Sequence, residues 1–104
     1  MQKLIDGKLY DTDDAEKIAS YSTGGSTSDF DFYREALYRT ENGRWFLHGE
    51  GHAKTKYAST TSDGMKGWGS DIRALSEEEA FEWCQRNGRI DAAQEHFAGY
   101  IEKA

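Results

Sequence analysis

The chain has 104 residues, and its 13 lysines and arginines against 19 aspartates and glutamates leave a formal net charge of −6. That length predicts a single compact domain over 1–104, and the lone Cys84 excludes an internal disulfide and any zinc site built on several cysteines. No apolar run is long enough for a membrane span or a signal-peptide core, so a cytosolic protein is expected. An acidic balance without a Lys/Arg cluster argues against direct binding to nucleic acid.

Leucine, isoleucine and phenylalanine number five each and valine is absent, a poverty that accompanies disorder when charge is high. Three tryptophans and six tyrosines offset it, since an aromatic side chain buries ~150–250 Å². The expectation is a small, aromatic-rich core. With no proline, glycines must carry the sharp turns.

In chain order, Lys3-Leu4-Ile5 and Lys8-Leu9-Tyr10 flank Asp6-Gly7, a pair that tolerates the positive φ of a tight hairpin. Asp11-Thr12-Asp13-Asp14 then precedes Ala15-Glu16-Lys17-Ile18-Ala19. Short acceptor side chains and anionic charge ahead of that run predict a short helix ending before Tyr21, with Asp13 and Glu16 at capping-box spacing. Residues 22–28 read as a polar loop. Near-alternating aromatics on either side of Glu41-Asn42-Gly43 predict the central hairpin, with strands over 30–40 and 44–49.

Beyond it, Ala53 to Ala58 is consistent with one or two helical turns, and 59–71 reads as a mobile loop exposing Met65 and Trp68. A short strand follows over 71–75. Ser76 and Glu79 form a capping box for a helix to about Asn87, stopped by Gly88. Asp91 with Gln94 starts a second helix that sets Ala93, Phe97, Tyr100 and Ile101 on one stripe. The fold class expected is α+β: a central antiparallel sheet of about four strands, one short N-terminal helix and two C-terminal helices.

For chemistry, His48-Gly-Glu50-Gly-His52 is the most metal-like segment, but in an extended strand its two histidines stand ~13 Å apart, too far for one ion. Cys84 has Glu82 beside it instead of the positive setting a thiolate requires, and reads as a buried core residue. The loops rich in Gly, Ser and Thr lack the Lys-Ser/Thr pair of a phosphate cradle. No catalytic residue, metal site or cofactor is therefore assigned. What remains is acidic clustering: Asp11, Asp13, Asp14 and Glu16; Asp29, Asp31 and Glu35; and Glu77, Glu78, Glu79 and Glu82. A fixed array of carboxylates is suited to a Lys/Arg groove on a partner that normally holds DNA or RNA.

The segments Leu4-Ile5-Asp6-Gly7-Lys8-Leu9-Tyr10-Asp11-Thr12, Ala15-Glu16-Lys17-Ile18, Glu35-Ala36-Leu37-Tyr38-Arg39-Thr40, Gly43-Arg44-Trp45-Phe46-Leu47-His48-Gly49-Glu50-Gly51 and Leu75-Ser76-Glu77-Glu78-Glu79-Ala80 fall in an order that resembles a family of small proteins of bacteriophages and mobile elements. Some members of that family look like anti-CRISPR proteins. The resemblance implies a stoichiometric inhibitor of bacterial immunity, acting in the cytoplasm of the bacterial host on a CRISPR effector protein or complex. The contact residues expected are Asp11, Asp13, Asp14, Glu16, Asp29, Asp31, Glu77 and Glu78, with Tyr57 and Trp68 as aromatic anchors. Alternatives are a counter-defence enzyme using His48, Glu50, His52 or Cys84, and a protein that sequesters a signal nucleotide beside Trp45, Trp68 or Tyr57. An exposed edge strand leaves a homodimer open.

Overall fold

A computed structural model describes residues 1–104. Eight strands and two helices follow in order: β1 (Gln2–Ile5), β2 (Lys8–Asp11), β3 (Glu16–Ser22), β4 (Tyr33–Arg39), β5 (Trp45–Gly51), β6 (Ser59–Thr60), β7 (Lys66–Gly67), β8 (Gly69–Leu75), α1 (Glu77–Arg86) and α2 (Ile90–His96). The frame is an antiparallel sheet in the order β3-β4-β5-β8. The α+β class and the two C-terminal helices agree with the sequence reading; the N-terminal helix does not.

Residues expected to be that helix form β3, paired along β4 from Glu16↔Arg39 to Ser22↔Arg34. The reason is local as well as tertiary. The Asp11 side chain accepts from the Asp13 N–H at 2.9 Å, closing a turn in place of a helix start. Ile18, Ala19 and Tyr21 then pack against the core from an extended strand, where so short a run offers no helical stripe of comparable apolar area. Two other boundaries move. Phe30 and Phe32 lie in the loop ahead of β4, and residues 53–58 make isolated turns instead of a helical segment.

The turns follow their chemistry. Asp6 and Gly7 both adopt positive φ, +52° and +74°, as the tightest hairpin requires. At the central hairpin the loop is one residue longer than Asn-Gly alone: Gly43 N–H donates to Thr40 C=O at 2.9 Å, and Gly43 takes φ +80°. Part of 59–71 is a small hairpin, β6–β7, that leads directly into β8.

One sheet face carries α1 and α2 over Leu37, Trp45, Leu47 and Leu75, with Trp83, Cys84 and Phe97 packed down onto them. The β1–β2 hairpin covers part of the other face. There Tyr10 meets Phe46 edge-on at 5.5 Å, and Phe46 stacks on Tyr38 at 5.1 Å. Trp83, Phe46 and Phe97 are among the largest fully buried side chains, so the core is aromatic as composition implies. The capping box of α1 is complete, with Glu79 N–H donating to Ser76 Oγ and Ser76 N–H to Glu79 Oε1. Its other end is a Schellman motif on Gly88, φ +68°, with Arg89 N–H donating to Cys84 C=O at 2.8 Å. The second helix ends at His96, short of the predicted stripe; Tyr100 instead stacks back on Phe81 at 5.2 Å.

The glycines of the His-Gly-Glu-Gly-His segment have a packing role. A Cβ on Gly49 would lie 1.9 Å from the Tyr57 ring, and one on Gly51 would lie 2.4 Å from Thr55 Oγ1. They form a trough into which residues 52–58 fold. Gly49→Ala is expected to destabilise the protein by about 2–4 kcal/mol, because ring and backbone cannot both stay in place. Gly67→Ala, with open space around it, should change stability by less than about 1 kcal/mol. Chemical denaturation of the two variants checks the contrast.

Candidate functional site

Glu35 is the only buried charged residue, 5% exposed in the middle of the helix-covered face. Tyr57 donates its hydroxyl to Glu35 Oε2, Trp83 donates its indole N–H to Oε1 at 2.9 Å, and Lys56 Nζ stands 2.8 Å from Oε2. Burial is the largest single influence and pushes the Glu35 pKa up. The three donors together outweigh it and hold the carboxyl below its ordinary value. Burial, and then donation to Glu35, push the Tyr57 phenol well above the usual tyrosine range. Tyr57 thus ties the 52–58 segment to the sheet, with its hydroxyl already committed.

The acidic residues expected to form a contact surface divide between the two ends of the sheet. At the end where β3 begins and β4 finishes, Asp13, Asp14, Glu16 and Glu41 surround Arg39 and Thr40 about a shallow hollow. Asp13, Asp14 and Glu16 are exposed, and the Arg39 guanidinium lies over the Trp45 ring at 5.5 Å. Asp11 is half-buried and accepts from Gln2 Nε2 at 2.8 Å, a bond that leads the lowering of its pKa. Glu77 and Glu78 are exposed in the first turn of α1, reached from the same end of β8. They stand ~14 Å across the sheet from the start of β3, three strand spacings away.

Asp29, Asp31 and Trp68 occupy the opposite end, ~20 Å away along the strands. Asp29 accepts from Ser26 N–H at 3.1 Å, so the carboxylate shapes its own loop. Trp68, 38% exposed, stacks on Phe32 with ring centres 6.0 Å apart, while the Arg34 guanidinium lies 5.6 Å from its ring centre. Phe30, 58% exposed, sits against His52 at 5.1 Å, and His52 meets Trp68 edge-on. These rings make an aromatic ledge that the sequence reading found only in Trp68.

The residues weighed for catalysis are separated by their partners. Glu50 accepts from Arg34 Nε at 2.5 Å, and His52 Nδ1 accepts from the Ala53 N–H at 2.8 Å. His48, part of the open sheet face, has its pKa lowered by burial, with Glu50 opposing. Cys84 is fully buried, and burial pushes its thiol up, away from a thiolate. Trp45 is buried in the core against Phe97 at 4.6 Å. Sequence reasoning missed the Glu35 network and the Nε of Arg89, which is shielded from solvent without a hydrogen-bond partner. A carboxylate inside the apolar run Glu35-Ala36-Leu37-Tyr38 was its one visible sign. Comparison with known proteins gives no match to a family model, a curated protein or a solved structure.

Because Glu35 ionises more readily in the folded chain than in the unfolded one, its contribution to stability is present above the ordinary carboxylate pKa of 4.5 and is lost as pH falls through the folded value. Urea unfolding at neutral pH and near pH 3 should therefore show a fall in stability that is smaller in Glu35→Gln. Tyr57→Phe, which removes one donor to the buried carboxylate, should cost about 1–3 kcal/mol at neutral pH.

Proposed function

We propose that this protein is an anti-CRISPR-like stoichiometric inhibitor. It binds a CRISPR effector protein or complex of the bacterial host, in the cytoplasm, and blocks nucleic-acid binding or cleavage by occupying a cationic groove. It takes no cofactor, makes no direct contact with nucleic acid and transforms no substrate. It engages its target alone or as a pair of copies.

One observation carries this reading. Asp13, Asp14 and Glu16, with Glu41 beside them, face solvent from one end of the sheet, and the arginine among them lies over a tryptophan ring. Such a surface attracts Lys/Arg-rich grooves before contact and makes the encounter salt-sensitive. The second support is extent. The acidic end and the aromatic ledge of Phe30 and Trp68 lie ~20 Å apart, too far for one small ligand and well matched to a partner burying ~800 Å² on each side.

Titration of purified protein into effectors of the source host should abolish cleavage at near one-to-one stoichiometry. Asp13→Lys, Asp14→Lys and Glu78→Lys combined should slow association about tenfold or more at low salt, with the difference shrinking as salt rises. Full activity of every effector at several-fold excess would overturn the reading. Inactivation of excess target by a trace of protein would favour the enzyme alternative.

A further inference from the structure

We infer that the half of the sheet face left bare by the β1–β2 hairpin is a binding site for a phosphate group, free or carried by a small molecule. The inference stands apart from the target proposed above and uses other residues.

Strand register builds the site. Three rows of side chains cross this face: Lys17 beside Tyr38, then Ser20, Ala36 and His48, then Ser22, Arg34 and Glu50. Small residues begin the middle row, so a hollow of about 660 Å³ opens there between the Lys17 and Arg34 side chains. Successive rows are ~7 Å apart, which lets both long cations reach one point from opposite sides. In a regular strand Lys17 and Ser20 would fall on opposite faces. A register shift at Ile18 prevents that. Besides interrupting the outer edge of β3, the extra residue turns Lys17 to the side of Ser20 and Ser22.

The donors are uncommitted. Lys17, Ser20 and Ser22 are exposed and His48 is half-buried, and none of these four side chains makes a hydrogen bond or ion pair within the chain. A half-buried imidazole without a partner offers its N–H to whatever enters the hollow. Arg34 is held at two points, by its Nε on Glu50 and by the Trp68 ring 5.6 Å away, which leaves its terminal N–H groups free. Two carboxylates border the hollow, and both are occupied: Glu50 by Arg34, and Glu35, turned to the helix-covered face, by its own three donors. In a chain of net charge −6, this lining sets Lys17, Arg34 and Arg89 against those two acids.

The donor set selects the ligand. An ammonium, a guanidinium fork, an imidazole N–H and two hydroxyls exceed what the two oxygens of a carboxylate accept. They suit the oxygens of a phosphate, which spread tetrahedrally and carry more charge.

Inorganic phosphate added to the isotope-labelled full chain at low ionic strength should move the amide signals of Lys17, Ser20, Arg34 and His48 along one saturable curve. The expected Kd is ~1 mM or tighter, and sodium chloride at equal ionic strength should not reproduce the curve. Lys17→Glu alters an exposed, unpaired side chain, and Ser20→Tyr fills the hollow without changing charge. Each should keep the parent's unfolding midpoint and weaken phosphate binding about tenfold or more. Adenosine 5′-monophosphate distinguishes the sources: it binds more tightly than inorganic phosphate if the site takes a phosphorylated small molecule, and no more tightly if it takes the free ion. Either result upholds the site. No saturable response to either probe overturns the inference, as does binding that both variants leave unchanged, or signals that move equally around the exposed Lys54 and Lys66.

Discussion

A single buried carboxylate organises this molecule. Taking Glu35 out of water is costly, and the cost is met only because groups from distant parts of the chain converge on it: Trp83 from α1, and Tyr57 and Lys56 from the segment after β5. Removing any one donor leaves a charge with nowhere to relax. The network therefore does more than join elements. It dictates that residues 52–58 fold back over β5, which is possible only where Gly49 and Gly51 leave room.

That constraint also arranges the surface. With 52–58 folded back over the helix-covered face, the chain returns through β6–β7 to deliver Trp68 beside Phe32, His52 and Arg34 on the other. The opposite end of the sheet is left to Asp13, Asp14, Glu16 and Glu41. A charge array and an aromatic ledge at opposite ends of a rigid sheet suit a broad, desolvating contact, in which charge governs the encounter and rings supply the buried area. On the function proposed here, the sheet acts as a ruler that fixes the spacing between them.

The edges of the sheet are treated unequally. β8 is guarded by charge and by the N-terminal hairpin, whereas β3 is guarded over only its first half. Arg89 lies beside the unguarded half because Gly88 turns the chain there, its guanidinium over the Tyr21 ring and its Nε shielded from solvent without a hydrogen-bond partner.

Much of the fold is legible in short-range chemistry. Asp6-Gly7, the Ser76/Glu79 capping box, Gly88 and the alternation through β4 and β5 each act over a few residues, so their spacing alone sets the local backbone. The aromatic core follows from composition, since no other side chains here offer enough apolar area. Residues 16–22 are different. Their own propensity is ambiguous, and they become a strand because β4 offers a free ladder and the core accepts Ile18, Ala19 and Tyr21 from an extended chain. Likewise the Glu35 donors lie 21, 22 and 48 residues away in sequence, beyond any pattern a local reading can weigh. Sequence by itself determined the class, the Asp6-Gly7 turn and both ends of α1, because those depend on neighbours along the chain. Tertiary structure alone decided which carboxylate is buried, which glycines are obligatory and which edge stays open, because those depend on what the folded chain brings within bonding distance.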